Sequence, residues 1–129
     1  MRNALEEIDH SLPEGLHDGL IVSLRHDYAQ AVVILELSLY TPEGRRAGEL
    51  RFEGVFYCAV DPPLPESSFL HPGGLWVTSF AQTSDKLPDE LLARLPPNTL
   101  HYSIFNRDWY SETHIAASTV AFRWLDTVR

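Results

Sequence analysis

Apolar and polar residues alternate with a period of two over most of the chain. From Gly19, Leu20, Val22 and Leu24 fall on one face, and Ile21, Ser23, Arg25 and Asp27 on the other. After a tight turn near Asp27-Tyr28, Ala31, Val33, Leu35, Leu37 and Leu39 alternate with Val32, Ile34, Glu36, Ser38 and Tyr40. Such alternation, rich in β-branched residues, predicts two antiparallel strands. Thr41-Pro42-Glu43-Gly44 supplies the turn, because Pro presets φ and Gly accepts a positive one. A third strand is expected over about Glu49 to Val60, with Gly54 marking a bulge or bend.

Asp61 to Gly74 holds Pro62, Pro63, Pro65 and Pro72, which cannot donate to a ladder, so this stretch is expected to be a long irregular loop. Leu75 to Gln82 returns to strand character. Leu87 to Leu95 predicts a helix of about two turns, with Pro88 at its first position, Asp89 and Glu90 at the positive end of the dipole, and Leu87, Leu91 and Leu95 on one face. Strands then follow over roughly Thr99 to Phe105 and Tyr110 to Leu125, the last bending near Ala117-Ser118. Residues 1-17 are polar and mixed, with a short helix near Ala4 to Asp9. The expected fold class is mainly β, an antiparallel sandwich or curled half-open barrel of about six or seven strands with one short helix, in a single domain over 1-129.

Composition narrows the function more than it defines it. The 129 residues include 18 Asp and Glu against 10 Lys and Arg, a formal net charge of -8. An acidic chain repels phosphate backbones, which argues against nucleic acid and is compatible with a basic protein partner. The single cysteine, Cys58, excludes an intramolecular disulfide, and its apolar setting predicts an inert thiol. The N-terminus carries acids and lacks an apolar h-region, and the longest apolar run, Ala31 to Leu35, is too short for a bilayer. A cytoplasmic setting, away from membranes, is expected. No Gly-x-Ser-x-Gly, Walker A, Gly-x-Gly-x-x-Gly or His-Glu-x-x-His pattern occurs, so no catalytic residue, metal ligand set or cofactor is assigned.

Two groups of residues nevertheless carry chemistry. A two-residue loop (Arg107-Asp108) or a four-residue loop (Asn106 to Trp109) sets His101 opposite His114, Ser103 opposite Glu112 and Phe105 opposite Tyr110. Leu100, Tyr102, Ile104, Thr113 and Ile115 then face the core. His101, His114 and Glu112 on one sheet face form a candidate pocket, metal site or acid-base pair, and otherwise a solvated face. At the hairpin tip, Asp108, Trp109 and Tyr110, with Glu112 beside them, have the aromatic and charged character of a contact surface. His17-Asp18 reads as structural at a strand entrance, and Trp76 and Trp124 as core.

The segment Leu16-His17-Asp18-Gly19-Leu20-Ile21-Val22-Ser23-Leu24-Arg25-His26-Asp27, the apolar strand Ala31 to Leu39 and Leu50-Arg51-Phe52-Glu53-Gly54-Val55 resemble small bacterial proteins grouped with the immunity proteins of polymorphic toxin systems. The resemblance covers the first half of the chain. It implies a non-enzymatic binder that neutralises a protein toxin, and it carries over no catalytic residues. The alternatives are a small β-barrel enzyme or ligand-binding protein using the His101/Glu112/His114 face, and a structural homodimer.

Overall fold

The computed structural model describes residues 4-16, 19-61, 75-82, 89-106 and 111-125; for 75-80, 82 and 111 it describes the backbone alone. The strands among them are β1 (Leu20–Asp27), β2 (Val32–Thr41), β3 (Gly44–Glu53), β4 (Tyr57–Val60), β5 (Leu75–Gln82), β6 (Leu100–Asn106), β7 (Ser111–Ala117) and β8 (Thr119–Trp124). All pair antiparallel, in the order β4-β7-β6-β5-β1-β2-β3-β8. β1, β2, β3 and β8 form one sheet and β4 to β7 the other. β5 joins them: Leu75 and Trp76 pair with β1, and the ladder then passes to β6. The mainly-β class therefore holds, as a curled sheet folded over its own core.

The opposite corner makes that fold-over. β3 leads into β4 and β8 follows β7, so the β3–β8 and β4–β7 pairs are two halves of one bent ribbon. Backbone bonds run through the bend, from Ser118 N–H to the Glu53 carbonyl (2.9 Å) and from Phe56 N–H to the Ala116 carbonyl (2.8 Å). Gly54 sits there with φ +65°, a conformation that costs a side-chain-bearing residue. A Cβ at Gly54 would also meet the Ser118 hydroxyl. The expected bends at Gly54 and near Ser118 are two sides of this corner, and they raise the strand count to eight by dividing both long strands.

The core lies between the layers. Val33, Leu35, Leu37 and Leu39 of β2 are at most 1% exposed, as the alternation predicts. They pack with Leu50 and Phe52 of β3, Tyr102 and Ile104 of β6, Ile115 of β7 and Val120 of β8. Each such side chain, once buried, contributes about 1.5–3 kcal/mol. Trp124 is half-buried and packs against this cluster, with the Arg46 guanidinium over its ring at 4.6 Å.

Several local expectations are corrected. A bulge between Ile21 and Ser23 turns Val22 outward, so Ile21 and Leu24, not Val22, reach the core. β3 begins at Gly44, directly after the Pro42-Glu43 turn, because the Thr41 hydroxyl closes it by bonding the Gly44 carbonyl (2.7 Å). The second helix, α2 (Asp89–Leu92), is a single α-turn with no buried residue; Leu87 and Pro88 lie outside the described residues. The first, α1 (Ala4–Ser11), matters more than its polar sequence suggests. Leu5, Leu12 and Leu16 from it and the following turn are buried in the core, with Ile8 packed alongside. The helix covers β8 and touches β5. The 61-74 loop, apart from Asp61, and the side chain of Trp76 lie outside the described residues.

Replacing Gly54 by Ala is expected to lower stability by about 1–3 kcal/mol through backbone strain alone, with the Ser118 contact adding to it. Urea denaturation measures this, and an unchanged midpoint would show that the corner tolerates a side chain.

Candidate functional site

β6 is buried on both faces. Tyr102 and Ile104 point into the core, as expected, whereas Leu100, at the strand's start, is 37% exposed. On the other face His101, Ser103 and His114 are 3%, 4% and 9% exposed. The alternative of a solvated face is thereby corrected, and these polar groups need internal partners.

Their register differs by two residues from the expected one. His101 lies opposite Ala116, Ser103 opposite His114 and Phe105 opposite Glu112. Asn106 pairs with Ser111, leaving four residues, 107-110, between the strands, where the expected loops were 107-108 or 106-109. A shift of two preserves which residues share a face, so the grouping survives although the pairs change. His101 reaches His114 diagonally, Nε2 to Nδ1 at 3.1 Å, with the rings stacked 5.3 Å apart.

The carboxylate beside this pair is Asp61, not Glu112. Asp61 Oδ2 lies 3.3 Å from His114 Nε2. Glu112 instead accepts a 2.5 Å hydrogen bond from the Ser103 hydroxyl. Asp61 reaches the site because β4 pairs with β7, Ala59 lying opposite His114, and the ladder continues with Asp61 N–H donating to the Glu112 carbonyl at 2.9 Å. Pro62 and Pro63 after Asp61 assign it to a loop on sequence alone. The long-range β4–β7 pairing, which no local pattern signals, puts it on the face.

For neutral imidazoles beside an ionised Asp61, the contacts assign the tautomers, which distances alone leave open. An ionised carboxylate only accepts, so His114 donates from Nε2 and keeps a lone pair at Nδ1. His101 therefore donates from Nε2. The result is a directed line, His101 to His114 to Asp61, beside the Ser103–Glu112 bond. It can orient imidazoles and hold a proton. No group of three or more His, Cys, Asp or Glu among the described residues is arranged to hold a metal ion.

The remaining candidates separate from this face. Asp108, Trp109, Tyr110 and His17-Asp18 lie outside the described residues. Cys58 of β4 is half-buried against the core, and burial pushes its thiol pKa up, in keeping with an inert role. The outer face of the β1-β2-β3-β8 sheet, by contrast, is open and charged. It carries Arg25, Arg45, Arg51 and Arg123 interspersed with Asp27, Glu36, Glu49 and Glu53. Arg123 pairs with the buried Glu49 at 3.2 Å and Arg51 with Glu53 at 2.7 Å. A groove of about 300 Å³ runs between Glu49, Arg51, Ala121 and Arg123.

No family model, curated protein or solved structure matches this chain.

Two outcomes follow for the site. Ser103→Ala removes one donor from the part-buried Glu112 carboxylate and is expected to cost about 0.5–1.5 kcal/mol, whereas Glu112→Gln, which keeps an acceptor, costs less; denaturation midpoints separate the two. Cys58, its thiol raised by burial, is expected to react with a thiol reagent near neutral pH more slowly than a free cysteine, and at the ordinary rate once urea unfolds the chain.

Proposed function

We propose that the protein is a non-enzymatic binding protein with a basic protein as partner, and that an immunity protein neutralising a toxin in the cytoplasm is its specific form. The observation that carries this reading is the placement of charge. The outer face of the β1-β2-β3-β8 sheet holds four arginines and four carboxylates. Since these cancel, the whole surplus of -8 falls on the rest of the chain. Part of it is concentrated in the N-terminal segment, where Glu6, Glu7, Asp9 and Glu14 occur with no Lys or Arg from residue 4 to 16. A surface of one sign steers a partner of the other and occludes it on arrival.

The polar residues of the β6–β7 face support the same reading. They bond to one another, as structural groups do. Glu112, bonded to Ser103, is a poorer contact residue than Asp108, Trp109 and Tyr110, which remain the proposed contact residues with the acidic segment. No helix among the described residues is long and apolar enough to cross a membrane.

A second reading, acid-base or ligand chemistry at the same face, draws on the alignment of Asp61 with His114. It requires a ligand to enter where His101 and His114 are almost wholly buried, and so ranks lower.

A pull-down from the native host with the tagged protein tests the first reading. A single stoichiometric basic chain is expected. Its capture should weaken as salt rises from about 0.1 M to about 1 M, where the Debye length falls from about 10 Å to about 3 Å. It should weaken again with Trp109→Ala or Asp108→Lys. A partner indifferent to salt and to both substitutions, or no partner, would count against the proposal.

A further inference from the structure

We propose that the outer face of the β1-β2-β3-β8 sheet is a self-association surface, on which a second copy of this chain packs about a two-fold axis running across the strands. The register carries this. Arg25 of β1 lies opposite Ile34 of β2, Ile34 opposite Arg51 of β3, and Arg51 opposite Ala121 of β8. Two residues nearer the corner, Asp27, Val32, Glu53 and Thr119 form the next row. On the other side, Ser23, Glu36, Glu49 and Arg123 form a third. The face is therefore striped: a row with two arginines lies between two rows that each hold two carboxylates.

Such a pattern is complementary to itself. Neighbouring rows lie about 6.8 Å apart, twice the rise per residue. A two-fold axis parallel to the rows, midway between Arg25–Arg51 and Asp27–Glu53, reverses the order of the rows on the second copy and keeps each strand's place along them. Arg25 then faces the second copy's Asp27, and Arg51 its Glu53, each contact occurring twice. The side chains are available for this. Arg25 is exposed and has no hydrogen bond or ion pair among the described residues. Asp27 gives one oxygen to the Gln30 N–H at 3.1 Å. Arg51 donates to Glu53 from Nε, yet the two side chains stay 41% and 55% exposed. A hollow of about 80 Å³ between Arg25 and Arg51, lined by Val32 and Ile34, gives opposing side chains room.

Charge decides which partner fits. The four arginines and four carboxylates of this face cancel, so it steers neither an acidic nor a basic chain. Over the rest of the chain two copies carry the same surplus of -8 and repel each other. On the striped face a second copy meets opposite charges instead of like ones. The basic partner of the binding reading is assigned to other residues, so the two proposals stand or fall separately.

Sedimentation velocity on the full chain, from about 10 μM to about 1 mM, tests the proposal. The mass is expected to rise with concentration from 14.6 kDa towards twice that value. Arg51→Glu sets like charges together at both symmetric contacts and should weaken association by about tenfold or more. Combining Arg51→Glu with Glu53→Arg restores opposite charges across the axis and should return the dimer. Mixed with wild type, that double variant should form fewer mixed pairs than like pairs, because a mixed pair faces like charges. Far-UV circular dichroism checks the fold of each variant, and Arg25→Glu serves where Arg51→Glu does not fold. The wild-type measurement needs no variant. A mass of 14.6 kDa at every concentration, a dimer indifferent to Arg51→Glu, or a double reversal that stays as weak as Arg51→Glu would each overturn the proposal.

Discussion

The bend in the ribbon formed by β3–β4 and β7–β8 is the constraint on which the other features depend. A sheet of eight strands with one apolar face has to bury that face, and here it does so by turning back on itself. The turn occurs where Gly54 takes a positive φ against Ser118, while hydrogen bonds on either side keep the two strands paired through the corner. Leu50 and Phe52 before the bend and Ile115 and Ala117 beside it consequently share one core. At the far side, the brief β1–β5 pairing lets the layers diverge, and α1 adds Leu5 with Leu12 and Leu16 beyond it.

The same bend creates the polar face. Carrying β4 over to β7 brings Asp61 beside His114, a neighbour 53 residues away in sequence. Burying two imidazoles and a serine on the outside of a sheet, with Glu112 part-buried and Asp61 exposed at the edge, is costly unless each finds a partner. Bonds within the group join His101, His114 and Asp61 in one line and Ser103 to Glu112 beside it. Networks of that kind hold strands in one register.

Much of the architecture was legible in the sequence because period-two alternation is a local signal. β2 shows it best, since every second residue from Val33 to Leu39 is in the core. Punctuation at Pro42 and Gly44, at Gly54 and at Ser118 was equally readable. What failed has specific causes. Val22 was misplaced because a bulge shifts the phase of alternation without leaving a mark in composition. The His101–His114 register was displaced by two because loop length, not strand pattern, sets it, although the even shift left the faces correct. Leu5, Leu12 and Leu16 were overlooked because three apolar residues among acids give no clear helical stripe until the sheet they cover is known. Asp61 was missed because its strand partner lies half a chain away, and Glu112 was credited with the role that Asp61 fills.

The proposed function rests on the placement of charge. One sheet surface is neutral through interleaved Arg, Asp and Glu, and the excess of acid lies elsewhere in the chain. The proposed binding would call for a rigid scaffold, and the ladder that runs through the corner is the feature that provides one. The most direct check is amide exchange at Ser118 and Phe56, the two donors that carry the ladder through the bend. If the ribbon is continuous, both amides exchange only with global unfolding, at the same free energy as Leu35 in the centre of β2. Exchange of Ser118 and Phe56 at loop-like rates, with Leu35 still protected, would mean two sheets hinged at the corner and would contradict the account.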